Sequence, residues 1–130
     1  MNFTVYETSS GRILRTGYTV DPLANQVLSG ESIVEEVYNG DTHYFPSGTL
    51  TARPANPTTI DKTSITANGV DAFTLSDYPT GAEIFISGPV NYRGVLSAGF
   101  DDFTTTISGT YLVTITAFPY LPQEYTVNAS

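Results

Sequence analysis

The chain contains no cysteine, no tryptophan, one methionine and one histidine in 130 residues. Without cysteine there are no disulfides, no thiolate nucleophile and no Cys-ligated zinc. Charge is also scarce. Only 14% of residues are Asp, Glu, Lys or Arg, against about a quarter in an ordinary soluble domain. Basic residues are the rarest part of that set: five against thirteen acidic, for a formal net charge of −8. Arg12, Arg15, Arg53, Lys62 and Arg93 are too few and too scattered to build a phosphate-binding patch, so nucleic acid is not an expected partner. The same sign disfavours anionic membrane surfaces. No apolar run approaches the ~20 residues of a membrane span. MNFTVYETSS lacks a basic segment followed by an apolar run, so no signal peptide is expected there, and synthesis in the cytoplasm is the corresponding expectation.

Threonine, serine and asparagine occupy the places that Lys and Glu would otherwise fill. That exchange suits exposed faces of β-strands and argues against long helices. Nine Tyr and seven Phe supply much of the apolar area for a core. The fold class read from this is all-β, with at most one short helix. The Pro-containing stretch ARPANPTT divides the chain, since Pro54 and Pro57 break both helix and central strand. The expected organisation is a small β-hairpin module over 1–53, a Pro-rich linker over 54–59 and a β-sandwich over 60–130. The first part carries a net −3 and the part from 58 onward a net −5.

In the first module, NFTVYET alternates Phe3 and Val5 against Thr4 and Tyr6, a period-2 pattern with one buried face. Ser9-Ser10-Gly11 forms a turn into RILRTGYTV. A helix of about two turns is expected in 21–30, capped by Asp21, begun by Pro22 and ended by Gly30. SIVEEVY over 32–38 reads as a strand, Asn39-Gly40-Asp41 as a turn, and THYFPSGTLTARP as a hairpin about Pro46-Ser47-Gly48. In the second module, turns recur every eight to twelve residues or so, the spacing of a sandwich or barrel. TYLVTITA places Tyr111, Val113 and Ile115 inward. AEIFISG places Ile84 and Ile86 inward and Glu83 and Ser87 outward.

Catalytic chemistry finds little to stand on. His43 has no recognisable nucleophile or orienting acid and no second metal ligand at a productive spacing, so it reads as a strand histidine with one satisfied hydrogen bond. Asp61, Asp71 and Asp77, and the pair Asp101-Asp102, fall where turns are expected. Asp side chains there accept hydrogen bonds from local backbone N–H groups. Turn chemistry is the reading taken, with a calcium site as the alternative, although the order D-x-[DN]-x-[DN]-G is absent. A glycosidase would need two acids across a sugar-length groove. No catalytic residue, metal or cofactor is therefore expected. The aromatic residues carry more information. Phe85, Leu112 and Phe118 fall out of phase with the inward set and predict an apolar strip on the opposite sheet face, which marks a protein interface. Tyr92, Phe100, Phe103 and Tyr120 join that candidate surface, and Phe3, Tyr6, Arg12 and Arg15 form its counterpart in the first module.

KTSITANGVDAFTL resembles the opening strands of bacterial immunoglobulin-like repeats of the intimin/invasin kind, through Ile65, the run from Ala67 to Asp71, Ala72 and Leu75. GTYLVTITA is similar to a late strand of the same domains. The resemblance implies an immunoglobulin-like sandwich. It implies no adhesin function, because tandem repetition is missing. The whole chain is similar to small structural proteins of tailed-bacteriophage tail gene clusters. That likeness rests on Phe3, Val5 to Thr8, Gly11 to Ile13, Arg15, Gly17, Gly30, Glu31, Thr42 to Tyr44, Gly48, Arg53 and Pro54. It implies a virion component at the tail tip, baseplate or fibre base. Such a protein would contact other virion proteins and copies of itself, with a trimer as the favoured assembly and the first module as anchor. The alternatives are a receptor- or carbohydrate-binding module at the fibre tip with a host-surface glycan as partner, a capsid decoration protein, and a fibre chaperone.

Overall fold

The computed structural model describes residues 1–97 and 99–130. The protein is all-β, and the chain divides into two compact units, Met1–Pro54 and Ala55–Ser130. Among the described residues no helix is long and apolar enough to cross a membrane.

In the first unit, β1 (Asn2–Glu7) lies between β2 (Ile13–Tyr18) and β3 (Glu31–Val34) in an antiparallel sheet of order β2-β1-β3. The Ser9-Ser10-Gly11 turn joins β1 to β2 as expected, with a register shift between Val5 and Tyr6. β1 is buried on both faces, not on the single face its alternation predicts: Phe3, Thr4, Val5 and Tyr6 are all buried. The reason is a second layer. A short hairpin, β4 (His43–Tyr44) with β5 (Thr51–Ala52), follows the Asn39-Gly40-Asp41 turn. Phe45 beyond β4 stacks on Tyr6 with ring centroids 4.6 Å apart, and Tyr38 meets the same ring edge-on at 5.5 Å. On the other face, the Phe3 ring lies over Gly17, where a Cβ would come within 2.9 Å of it.

Two elements of this unit are shorter than the sequence pattern suggests. The expected helix is one 3₁₀ turn, Leu23–Gln26, that no side chain caps. The Asp21 backbone N–H instead donates to Thr19 Oγ1, and the chain returns to extended backbone at Val27, which ends the turn. The expected strand over 32–38 stops at Val34. Beyond it, the buried Thr4 hydroxyl donates to the Glu36 carbonyl (2.7 Å) and accepts from the Tyr38 N–H (2.9 Å). One side chain thus replaces the sheet ladder as the partner of this segment.

The second unit is a β-sandwich. Its strands are β6 (Thr59–Ile60), β7 (Ser64–Ile65), β8 (Phe73–Ser76), β9 (Glu83–Ser87), β10 (Tyr92–Val95), β11 (Phe100–Phe103), β12 (Gly109–Thr116) and β13 (Gln123–Ala129). One sheet has the order β10-β9-β12-β13-β7, the other β11-β8-β6, and every pairing is antiparallel except β13 with β7. Ile84, Ile86, Tyr111, Val113, Ile115 and Val127 from the larger sheet meet Phe73 and Leu75 from the smaller one in a single apolar core. The inward sets expected for β9 and β12 are the ones observed. Of the stretch 54–59 expected to link the modules, Pro54 closes the first unit and residues 55–59 belong to the second. Thr58 is buried, its carbonyl accepts from Tyr125 Oη (2.7 Å), and Asn56 Nδ2 donates to the Ile115 carbonyl (3.3 Å). Asp101 and Asp102 lie within β11 and not at a turn, because Phe103 pairs with Phe73 and carries the strand back through both aspartates.

Candidate functional site

The histidine and aspartates singled out by the sequence are engaged by the fold. His43 stands in β4 with its Nδ1 2.8 Å from Thr42 Oγ1, the single local hydrogen bond expected for it. Asp71 spends both carboxylate oxygens on its own unit: one pairs with Lys62 Nζ (2.6 Å) and the other accepts the Thr66 N–H (2.7 Å). The Lys62 bond, then the Thr66 N–H, hold the Asp71 carboxyl below the usual carboxylate range. Asn68 Oδ1 accepts from the N–H groups of Val70 and Asp71, a local turn cap. Asp61 accepts the Thr74 N–H (2.6 Å), and Asp77 accepts from the Thr59 hydroxyl (3.2 Å). These aspartates do turn and strand-end work. No group of three or more His, Cys, Asp or Glu residues placed to hold a metal occurs among the described residues.

The candidate residues of the first unit separate into two groups. Phe3 and Tyr6 are buried and pack inside the unit, which removes them from the candidate surface, since their rings are covered by Gly17 and Phe45. Arg12 is exposed in the β1–β2 turn. Arg15 is exposed but committed. Its guanidinium donates to both Glu31 oxygens (2.8 and 2.7 Å) and to the Gln26 carbonyl (2.6 Å), tying β2 to β3 and to the loop between them. The Arg15 bonds, with the Leu28 N–H (2.8 Å), lower the Glu31 carboxyl from 4.5 to about 2. This fork ties the exposed Arg15 into the fold of the unit.

In the second unit, the strand register sorts the candidates by face. Opposed residues in an antiparallel pair share a face. Phe85 opposes Thr114 and Arg93, Leu112 opposes Ser87, and Val95 opposes Glu83. Val95, Phe85 and Leu112 therefore run diagonally across β10, β9 and β12 on the outer face of the larger sheet. They are 64%, 40% and 41% exposed. The Arg93 guanidinium carbon sits 5.3 Å from the Phe85 ring centre, a cation–π contact. Phe118 does not extend this strip, because β12 ends at Thr116 and Phe118 lies half-buried in the turn that follows. Tyr120 is in the same turn, where its N–H donates to the Ala117 carbonyl (2.8 Å). Val95 was missed by the sequence pattern, although its alternation with the inward Leu96 was the signal that could have found it.

Tyr92 and Phe103 face the space between the sheets. Tyr92 opposes the inward Ile86, and Phe103 opposes the inward Phe73. Their rings meet edge-on at 5.9 Å, and Phe103 stacks on Phe73 at 5.3 Å. Beside them is a slot of about 420 Å³ lined by core side chains, including Ile86 and Tyr111, and by the exposed Val90 and Thr104. Its volume lies within the range of small-ligand pockets. Phe100 points the other way, to the outer face of the smaller sheet, and is 61% exposed.

Comparison with known proteins adds little to this geometry. No family model and no curated protein matches the chain. A solved structure does match: the glycosyl hydrolase family 2 (GH2) member from Bacteroides cellulosilyticus, at 13% identity and a TM-score of 0.37. The match covers 99% of this chain and 21% of that one. A likeness at that TM-score carries no argument about what this chain does.

Proposed function

We propose that this protein is a structural component of a tailed-bacteriophage particle, in the tail region, working through protein–protein contacts and without turnover. The observation that carries the contact reading is the diagonal Val95, Phe85 and Leu112 on the outer face of a five-stranded sheet. Three adjacent exposed apolar side chains on one sheet face are a surface suited to another chain. The tail setting rests on the sequence resemblance described above. The strand order, with β8 central in the smaller sheet and β12 central in the larger, supports reading the sandwich as immunoglobulin-like.

The test is to locate the chain in purified particles of a phage that encodes it, by tag-directed gold labelling and mass spectrometry of separated heads and tails. Labelling at the tail tip, baseplate or fibre is the expected result. A head-lattice signal would make it a decoration protein, and absence from mature particles with binding to unassembled fibre would make it a chaperone. A specific host glycan bound by the isolated chain would make it a receptor-binding module. Any of the three overturns the reading.

A further inference from the structure

The slot beside Tyr92 and Phe103 has a second property that the contact reading leaves unused: it lies under an open sheet edge. β11 is the outermost strand of its sheet, paired only with β8 among the described strands. The register assigns its side chains. Phe103 faces inward over the slot, and Asp101 also faces inward, where its carboxylate already accepts the Tyr78 O–H. Phe100 and Asp102 oppose Ser76 and Thr74 and so face outward. The Asp102 carboxylate accepts the Thr74 hydroxyl, and among the described residues neither ion pair involves it. Of the two basic residues in this unit, Lys62 is held by Asp71 and Arg93 lies over Phe85.

We propose that the β11 edge is a docking site for an extended segment of another protein carrying an apolar residue, a basic residue, any residue and a second basic residue. The proposal rests on the contact reading above and specifies the partner's chemistry. A strand that adds to an exposed edge gains main-chain hydrogen bonds, and its alternate side chains are read by what lies on each face. Opposite Phe103, an added side chain enters the slot among Phe73, Phe103, Tyr92 and Tyr111, which selects an apolar group. Opposite Asp102, the next outward position selects Lys or Arg as a cross-strand charge pair. Opposite Phe100, two residues further, a second cation meets an exposed ring face. Between them, the inward residue meets Asp101, already satisfied, and is unselected. The net −5 of the part from 58 onward favours a basic segment in the same direction. A second copy of this chain does not supply the segment: its five basic residues are Arg12, Arg15, Arg53, Lys62 and Arg93, and no two stand two apart.

The experiment titrates the ¹⁵N-labelled full chain with an acetylated and amidated peptide, Thr-Leu-Arg-Thr-Arg-Thr. Controls are Thr-Gly-Arg-Thr-Arg-Thr, Thr-Leu-Glu-Thr-Glu-Thr and methyl β-glucoside. Saturable shifts of the amides from Asn91 to Tyr92 and Phe100 to Thr105 are expected with the first peptide, and are weakened at least severalfold by either peptide change. Asp102→Asn should weaken binding by about two- to fivefold, the range of an exposed ion pair. Phe100→Ala is a second, independent variant expected to weaken it comparably. Equal binding of the acidic peptide, shifts from the glucoside alone, or no saturation up to roughly 10 mM peptide overturns the proposal. If the slot is silent while the chain still incorporates into tails, the slot assignment fails and the contact reading stands; peptide binding by a chain found nowhere on the particle is the reverse case.

Discussion

Gly11 lies against the backbone of Phe45 so closely that a Cβ at Gly11 would fall 2.3 Å from the Phe45 carbonyl carbon. Gly11 also has φ of +78°, its N–H donates to the Glu7 carbonyl, and its carbonyl accepts the Phe45 N–H, both at 2.8 Å. The turn after β1 is thereby fastened to the segment whose ring covers Tyr6. Gly11→Ala meets both a positive-φ cost and a backbone clash that no side-chain rotation relieves. A loss of at least about 2 kcal/mol from the first unit is expected. Urea unfolding followed through resolved amide signals of residues 1–54 measures it, and unchanged midpoints would contradict the close approach.

The Arg15–Glu31 fork sets an acid limb for the same unit. Glu31 is lowered from 4.5 in the unfolded chain to about 2 in the fold. A depressed carboxylate contributes stability that is fully present above the unfolded value and is lost as pH falls through the folded one. Stability of the first unit should therefore decline as pH drops from about 4.5 to about 2. Glu31→Gln should show a shallower decline there and lower stability at neutral pH. Urea midpoints of the two proteins across that range decide the point. Parallel pH profiles would show that the fork does not carry the dependence.

Asp71 makes a contrasting statement about metals. Because its oxygens are taken by the Lys62 ammonium and the Thr66 N–H, calcium is expected to leave the melting curve of the second unit unchanged relative to EDTA. Asp71→Asn should lower the melting temperature with or without calcium. A calcium-dependent rise in the wild-type chain, abolished in that variant, would restore the metal reading.

Phe85 and Leu112 lie outside the apolar core, so their loss should leave the sandwich folded. Phe85→Ser with Leu112→Ser is expected to lower unfolding free energy by roughly 1–3 kcal/mol, the share of their partial burial. Incorporation into particles should nonetheless fall at least tenfold, measured by quantitative mass spectrometry of purified virions. Normal incorporation of a folded double variant would remove the outer strip from the contact surface.

Much of the sandwich was legible because its signals are local. Strict alternation in TYLVTITA and AEIFISG gives the inward face of β12 and β9, and the Asn68-Gly69 turn stands out by residue type. What was not legible depends on partners far along the chain. NFTVYE looks one-sided, yet Phe45 and Tyr38, drawn over it by the later hairpin, bury Tyr6 as well. SIVEEVY has the pattern of a longer strand, yet the Thr4 hydroxyl captures Glu36 and Tyr38 away from the ladder. Asp101 and Asp102 look like turn residues because nothing local shows that Phe103 will pair with Phe73. Of the candidate surface, Phe85 and Leu112 were readable from parity alone. The relation of Phe103 and Tyr92 to a shared slot required the register of two different sheets.

The parallel pairing of β7 with β13 has a consequence for the order of events. Ile65 aligns with Ala129, and Ser130 and Ala67 exchange main-chain bonds with the same neighbourhood. An early strand of the sandwich therefore stays without its neighbour on that side until the final strand of the domain has emerged from the ribosome. Distant pairings of this kind slow closure. The strands of the first unit, β1 to β5, pair only among themselves and lie before Pro54. Translation would leave a completed front half waiting on an unclosed back half, and the vulnerable species during synthesis is the sandwich with its last strand still in the exit tunnel.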